Sequence, residues 1–240
     1  AGDVHRVRDP WAVSPKTPML GYGKDEREAN AAPQPDAARK VFTEKRFFEY
    51  HLYTLGAPSS IGNRQTKQIG FRHAEGVRAR RMYVYDPRLD AHRAQMTLFV
   101  ENDQENRLGK PMPKGAVRFT MADADGDALF VGEDKIDHTP EGEELELTVS
   151  PSWQVVGERT RTGHRRVARR VADETWRLTI RNHKDRAVNV RCNEPAPGGD
   201  WEVTRSTDAH TAPDVSTIRF EFTLDAHAQK TIEYTVRRRW

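Results

Sequence analysis

The feature that most constrains this chain is a two-residue alternation of side chains, which recurs in short stretches along its length. Residues 49–55 show it clearly, with aromatic, aliphatic and β-branched side chains on alternate faces. Similar stretches follow at 80–85, 96–101, 145–149 and 218–224. Side chains of a strand point alternately to its two faces, so this period is typical of half-buried β-strands. Glycine, proline, asparagine and aspartate end the stretches, and no long helical pattern separates them. The sequence therefore predicts an all-β protein.

The spacing of the turn signals predicts antiparallel β-sandwiches, with about twelve short strands and an immunoglobulin-like C-terminal half that lacks the Cys-Trp-Cys pattern. Asp125-Gly126 is a favoured hairpin turn, so a hairpin is expected between residues 115–122 and 128–132. The other predicted pairings are 49–55 with 66–72, and 153–162 with 166–181 across a turn near Gly163.

The chain of 240 residues is predicted to contain three segments. Residues 1–40 are rich in proline and in small and charged residues, which indicates a linker or an arm. Residues 41–142 form an N-terminal β subdomain and residues 143–240 the immunoglobulin-like β-sandwich. The boundary is placed in the acidic loop near residue 140.

Charge and cysteine content exclude several classes of protein. Because 39 basic residues oppose 36 acidic ones, the net charge is only +3, and non-specific attraction to nucleic acid or membrane is expected to be weak. Cys192 is the single cysteine, so no internal disulfide can form. No apolar run is long enough to be a transmembrane segment, and no signal peptide is recognised at Ala1.

Several motifs, taken in order, resemble one family. The chain from about residue 44 to its end resembles domain of unknown function 4139. The motifs that carry the resemblance are EYHLYTL (49–55), NRQTKQ (63–68), LGKPMP (108–113), GED (132–134), IDHTP (136–140) and NHK (182–184).

This resemblance implies the C-terminal β domain of bacterial hypothetical exported proteins and of mucoidy-inhibitor-A-like proteins. It implies an exported, periplasmic or cell-surface location and a longer N-terminal portion than the chain contains. The family has no established activity, so the resemblance supplies no catalytic residues.

The first candidate site lies around the predicted strand 49–55. Its polar and aromatic side chains permit two interpretations: a structural network that satisfies backbone groups, or a binding cleft. An enzyme hypothesis, a hydrolase-type site, places Glu49, His51 and Lys67 together, because a histidine beside a carboxylate can act as a general base. The candidate binding residues are Tyr50, His51, Tyr53, Arg64, Gln65 and Lys67.

The second candidate is a basic patch within residues 159–170. Arginine suits forked contacts to phosphate or carboxylate, which makes nucleic-acid binding a further hypothesis. Few aromatic side chains accompany the patch, so support for base stacking is thin and no nucleic-acid partner is expected. The patch consists of Arg159, Arg161, Arg165, Arg166, Arg169 and Arg170.

Metal and cofactor motifs are missing from the sequence. Asp123, Asp125 and Asp127 alternate around a turn but lack the sixth-position glycine and twelfth-position glutamate of a calcium loop. The histidines lack metal-ligand spacing, and no phosphate loop or dinucleotide fingerprint is present. The sequence predicts no metal and no cofactor. It favours a non-catalytic structural or interaction module that binds a protein partner or self-associates, with the N-terminal arm as a connecting element.

Overall fold

A computed structural model of the protein describes residues 42–47, 50–56, 58–70 and 73–240, with backbone only for 42–47 and 50–52. The predicted arm, 1–40, lies outside the described residues. What is described divides into two compact units, one within residues 9–75 and the other from Gly76 to Trp240.

The described residues form thirteen strands and no helix, which confirms the all-β prediction. Accordingly, nothing in the described ranges is a helix long and apolar enough to cross a membrane. The strands are β1 Phe42–Phe47, β2 Tyr50–Leu55, β3 Arg80–Tyr85, β4 Arg93–Glu101, β5 Gly115–Ala122, β6 Ala128–Ile136, β7 Glu144–Ala168, β8 Val171–Asn182, β9 Val188–Pro195, β10 Asp200–Ser206, β11 Thr211–Asp214, β12 Thr217–Leu224 and β13 Gln229–Arg239.

The first unit contains the hairpin of β1 and β2. Phe47 pairs with Tyr50 next to the turn, and Phe42 pairs with Leu55 at the far end. The predicted pairing of 49–55 with 66–72 is therefore wrong, because the strand partner precedes β2 in the chain. Residues 58–70 carry no strand, and the N–H of Gln65 instead closes a turn onto the carbonyl of Gly62.

The second unit is built on one nine-stranded sheet with the order β10-β13-β8-β7-β4-β3-β9-β12-β11. Its neighbouring strands are antiparallel except β3 and β9, which run parallel. The prediction of a purely antiparallel arrangement is wrong for this one pair. β9 follows β8 in sequence but crosses to the far side of β3, and sequence alternation carries no information about that crossing.

The sheet folds back on itself, so that β8 and β13 pack over β9 and β12. The rings of Phe220 on β12 and Tyr234 on β13 lie 5.4 Å apart, although five strands separate β13 from β12 in the sheet order. Leu178, Ile180 and Val190 are fully buried in the core between these layers. The result is a sandwich-like β fold whose two layers belong to a single sheet.

The nine-stranded sheet runs across the predicted subdomain boundary at residue 142. β4 lies before that position and β7 after it, and they pair from Glu101 with Glu144 to Arg93 with Val156. In agreement with this pairing, residues 76–240 belong to one compact unit. An immunoglobulin-like organisation of residues 143–240 stays a prediction.

β7 and β8 form a long hairpin whose turn is Arg169-Arg170, between Ala168 and Val171. The predicted turn near Gly163 is wrong. Gly163 pairs with Thr175, and the register shifts between Arg161 and Gly163, so the glycine marks a β-bulge. A glycine inside a strand is typical of such a bulge, and only tertiary pairing distinguishes it from a turn.

β5 and β6 form a separate two-stranded sheet, as the Asp-Gly signal predicts. The carboxylate of Asp123 accepts the N–H groups of Asp125 and Asp127, and Gly126 adopts a φ of 91° that favours glycine. At the base of this hairpin, Val117, Phe119 and Ile136 pack against buried residues of β4 and β7. The hairpin is thus anchored at its base and carries an aspartate turn at its tip.

Candidate functional site

The first predicted site lies in the first unit, and the structure describes it in part. Glu49 and the side chains of Tyr50 and His51 lie outside the described residues. Tyr53 is described and is half-buried on β2.

The other members of that set, Arg64, Gln65 and Lys67, are exposed in the loop that follows β2. Gln65 Oε1 accepts the N–H of Gly62 at 3.2 Å, and Lys67 Nζ donates to the carbonyl of Ser60 at 3.3 Å. These contacts hold the loop's own backbone, as amide and ammonium groups in tight turns commonly do.

The predicted basic patch is divided between two environments. Arg159 points into the second unit, whereas Arg161 and Arg165 lie on the exposed part of the β7–β8 hairpin. Arg161 pairs with Glu174 at 3.8 Å and Arg165 with Asp173 at 3.1 Å. Carboxylates on β8 therefore offset part of the positive charge of β7.

The remaining arginines of the patch lie at the hairpin turn. Arg166 donates to the backbone carbonyls of Ala168 and Arg169, which closes the turn with a side chain. Arg169 and Arg170 are exposed turn residues. Their charge faces solvent, and it is the part of the patch available to a partner.

Arg159 belongs to a buried charge cluster that the sequence did not reveal. Its Nε donates to Oε2 of Glu194 at 2.6 Å, and the hydroxyl of Tyr234 donates to the same oxygen at 2.5 Å. The guanidinium of Arg159 also lies over the ring of Trp176, 3.3 Å from its centre. The four residues come from β7, β9, β13 and β8, so the cluster ties the two layers together.

Burial governs the electrostatics of this cluster. Glu194 is fully buried, and burial raises the pKa of its carboxyl group, an effect that the hydrogen bond from Tyr234 and the charge of Arg159 oppose. Its second oxygen, Oε1, is buried without a hydrogen-bond partner. Burial and the nearby carboxyl also raise the pKa of the Tyr234 hydroxyl.

Cys192 lies on the same strand as Glu194 and is completely buried. Burial raises the pKa of its thiol well above the usual value, and the charge of Glu194 acts in the same direction. Since the thiolate is the nucleophilic form, this cysteine is kept in its unreactive state.

The buried charge cluster fits a structural role better than a catalytic one. Glu194 and Tyr234 are closed to solvent, whereas Arg159 and Trp176 at the border of the cluster are partly exposed. A substrate cannot reach a carboxyl group in that position. The signal that could have found Glu194 is the alternation of β9, which places it on the same face as Val190 and Cys192, whereas Arg191 and Asn193 lie on the other face.

A second set of buried polar groups organises the loops. The side-chain amide of Asn102 donates to the carbonyls of Lys110 and Pro140, and its oxygen accepts the N–H of Gly109. Met112 and Thr139 form an isolated β-bridge nearby. The motif segments 108–113 and 136–140 are thus joined through one buried asparagine.

The outer edge of β7 changes character along its length. Up to Val156 it is paired with β4, and the N–H of Gly157 donates to the carbonyl of His92 at 2.8 Å. From Glu158 to Ala168, no strand of the described residues pairs with it, and this stretch is called the open edge here. Alternate residues of a strand present their backbone groups to the same side, so the backbone N–H and C=O groups of Arg159 and Arg161, like those of Gly157, face away from β8.

The open edge borders a region of concentrated positive charge. This arginine-rich end comprises residues 157–177, 200–206 and 233–240, which lie on the adjacent strands β7, β8, β13 and β10. It contains eleven arginines and six acidic residues, so its net positive charge exceeds the +3 of the whole chain.

Comparison of the chain with protein-family models and with curated proteins returns no match. Within the described ranges, no group of three or more His, Cys, Asp or Glu side chains is arranged to hold a metal ion.

Proposed function

We propose that the protein is a non-catalytic interaction module that binds a partner by adding a strand to the open edge of β7. The observation that supports it is the unpaired backbone from Glu158 to Ala168, which continues directly from an edge that β4 covers. An extended segment placed there takes over the hydrogen-bonding positions that β4 occupies further along.

Charge selects the kind of strand that can bind. Arginines along an edge discourage pairing between two identical edges, because like charges repel when they are brought together. An acidic extended segment meets no such repulsion and gains contacts with the arginine-rich end. The proposed ligand class is therefore an acidic protein segment in extended conformation.

The distribution of arginine partners argues against a nucleic-acid ligand. Arg159, Arg161 and Arg165 are already paired with carboxylates. Affinity for nucleic acid depends on the number of phosphates neutralised, and these pairs leave few arginines of the patch for that purpose. Strand addition instead draws its affinity mainly from backbone hydrogen bonds, which the pairs leave free. The family resemblance adds the proposal that the module serves an exported or cell-surface protein.

Peptide binding tests this function directly. A peptide of about twelve residues that alternates threonine and glutamate is long enough to span the open edge at ~3.3 Å per residue. We expect fluorescence anisotropy to detect binding of this peptide to the protein. The same peptide with lysine in place of glutamate is expected not to bind, because it meets the arginines with like charge.

Two substitutions of Arg161 distinguish a peptide that binds through the backbone of β7 from one that binds through the arginine side chain. Arg161→Pro removes an outward N–H, whereas Arg161→Ala keeps that N–H and removes the same guanidinium. We expect the peptide to lose binding to R161P and to keep most of its affinity for R161A, with similar thermal unfolding for both variants. Equal binding to the two variants contradicts strand addition at this edge, and absence of binding to the wild-type protein contradicts the proposed function.

A further inference from the structure

The β5–β6 hairpin carries features complementary to the open edge. Its turn, Asp123–Asp127, contains three aspartates and no basic residue and is called the acidic tip. Just before and after the turn, Met121 and Leu129 face each other across the strands and are 63% and 51% exposed. Covering these two side chains would remove apolar surface from water, which favours association.

β5 also has an unpaired edge. It pairs with β6 on one side, and no strand in the described part of the chain pairs with its other side. Arg118, the one basic residue of β5, is held by Glu133 on β6 at 2.7 Å. β5 itself carries no acidic residue: it offers the free backbone and a neutralised Arg118, and the acidic charge that the open edge selects comes from the acidic tip beside it.

We infer that the strand bound by the open edge is β5 of a second copy of this chain, and this inference rests on the proposed function. A parallel alignment of β5 with the end of β7 places the acidic tip beside the arginine turn, Arg169-Arg170. It also places Met121 near Val167, which is itself 46% exposed. Opposite charges and two exposed apolar surfaces are then buried together.

The contact joins two different surfaces, so each copy offers one acidic tip and one open edge. Such a heterologous contact repeats from copy to copy and generates rings or open chains. The chemistry thus points to head-to-tail self-association that increases with protein concentration and weakens as salt screens the charges.

Charge reversal at each surface provides the test. Asp125→Lys with Asp127→Lys reverses the tip and leaves Asp123, the acceptor that shapes the turn, in place. The second variant, Arg169→Glu with Arg170→Glu, reverses the exposed turn of the β7–β8 hairpin, and Arg166 is kept because its side chain closes that turn. These arginines have no ion pair with a described carboxylate, so this variant keeps the structural pairs of Arg159, Arg161 and Arg165.

Sedimentation equilibrium of the full chain over a range of concentrations measures the association. We expect the wild-type protein to form species larger than the monomer, and each variant alone to associate at least about tenfold more weakly, because its tip and its edge then carry like charge. An equal mixture of the two variants is expected to associate again, since each tip then meets an edge of opposite charge. This recovery also shows that both variants are folded.

Three outcomes overturn the inference: a wild-type protein that stays monomeric, variants that associate as well as the wild type, or a mixture that stays monomeric while the wild type associates. None of them affects the proposed function, which the peptide experiment tests with an external acidic strand. Peptide binding without self-association retains the open edge as a binding site and removes β5 as its occupant.

Discussion

The two halves of β7 differ in what covers the edge that faces away from β8. From Glu144 to Gly157 the strand is covered on its outer edge by β4, and Leu145, Leu147, Val149 and Val155 are buried. From Glu158 onward the edge is open and arginines replace the aliphatic side chains. The difference indicates that the covered half stabilises the fold, whereas the open half is available for binding.

Arg159 lies at the junction of the two halves and belongs to the covered half by its contacts. It is the only arginine of the predicted patch whose partner, Glu194, is fully buried. Arg161, two residues further on, pairs with a partly exposed carboxylate. Arg159 and Arg161 therefore lie in different environments although they are two residues apart, and the loss of stability on replacing each of them can be measured.

Replacing Arg159 is expected to have the largest effect. Arg159→Met leaves the Glu194 carboxyl group buried without its cationic partner, so we expect the free energy of unfolding to fall by about 3–5 kcal/mol. Urea denaturation at neutral pH measures this loss. The matched control, Arg161→Met, removes an exposed pair and is expected to cost about 1 kcal/mol or less. An equal loss of unfolding free energy in the two variants would contradict the claim that Arg159 stabilises the fold and Arg161 does not.

The second prediction concerns the close packing of the covered half. Gly157 lies against the ring of Tyr85, and a Cβ at this position would overlap the ring. We expect Gly157→Ala to lower the free energy of unfolding by about 1–3 kcal/mol, since overpacking a core forces side chains to move. Gly115→Ala is the control, because no atom lies close to a Cβ there, and its effect is expected within about 0.5 kcal/mol.

The third and smallest effect is a pair of opposite pH dependences. Burial raises the pKa of Glu194, so its contribution to stability is present below its usual value of 4.5 and is lost as the pH rises through the raised pKa. Hydrogen bonds from Arg237 and Arg165 lower the pKa of Asp173 at the arginine-rich end. Its contribution is present above the usual value of 3.8 and is lost as the pH falls through the lowered pKa.

Thermal unfolding of the wild-type protein and of the variants Glu194→Gln and Asp173→Asn, measured from below pH 3.8 to above pH 4.5, tests the direction of each pH dependence. Relative to E194Q, the wild-type protein is expected to lose stability as the pH rises above 4.5. Relative to D173N, it is expected to lose stability as the pH falls below 3.8. If the stability of the wild-type protein relative to both variants changed in the same direction with pH, the contrast between burial of Glu194 and ion pairing of Asp173 would be contradicted.

The sequence predicted those parts of the fold that local patterns determine. Alternation identified the strands, and Asp125-Gly126 identified the β5–β6 turn, because both depend on residues close together in the chain. Pairing over longer distances was not predictable in this way. The parallel contact of β3 with β9 and the bulge at Gly163 depend on which strands meet in the folded sheet.

The candidate sites were predictable to a smaller extent. The arginine run was visible in the sequence, but its division between buried Arg159 and exposed Arg169-Arg170 depends on where β4 ends. Glu194 continues the apolar face of Val190 and Cys192 by alternation, but a glutamate is ordinarily a surface residue, and its partners Arg159 and Tyr234 come from distant strands. The open edge is defined by the lack of a neighbouring strand among the described residues, and a residue pattern alone does not show which strands will pair.

Amide hydrogen exchange at residues 160 and 161 tests the open edge most directly. The N–H of Thr160 faces β8 and that of Arg161 faces outward. We therefore expect slow exchange at Thr160 and fast exchange at Arg161 in the free protein, with Arg161 becoming protected when the threonine-glutamate peptide binds. Slow exchange at Arg161 in the free monomer, or fast exchange that persists in the peptide complex, would contradict strand addition at β7.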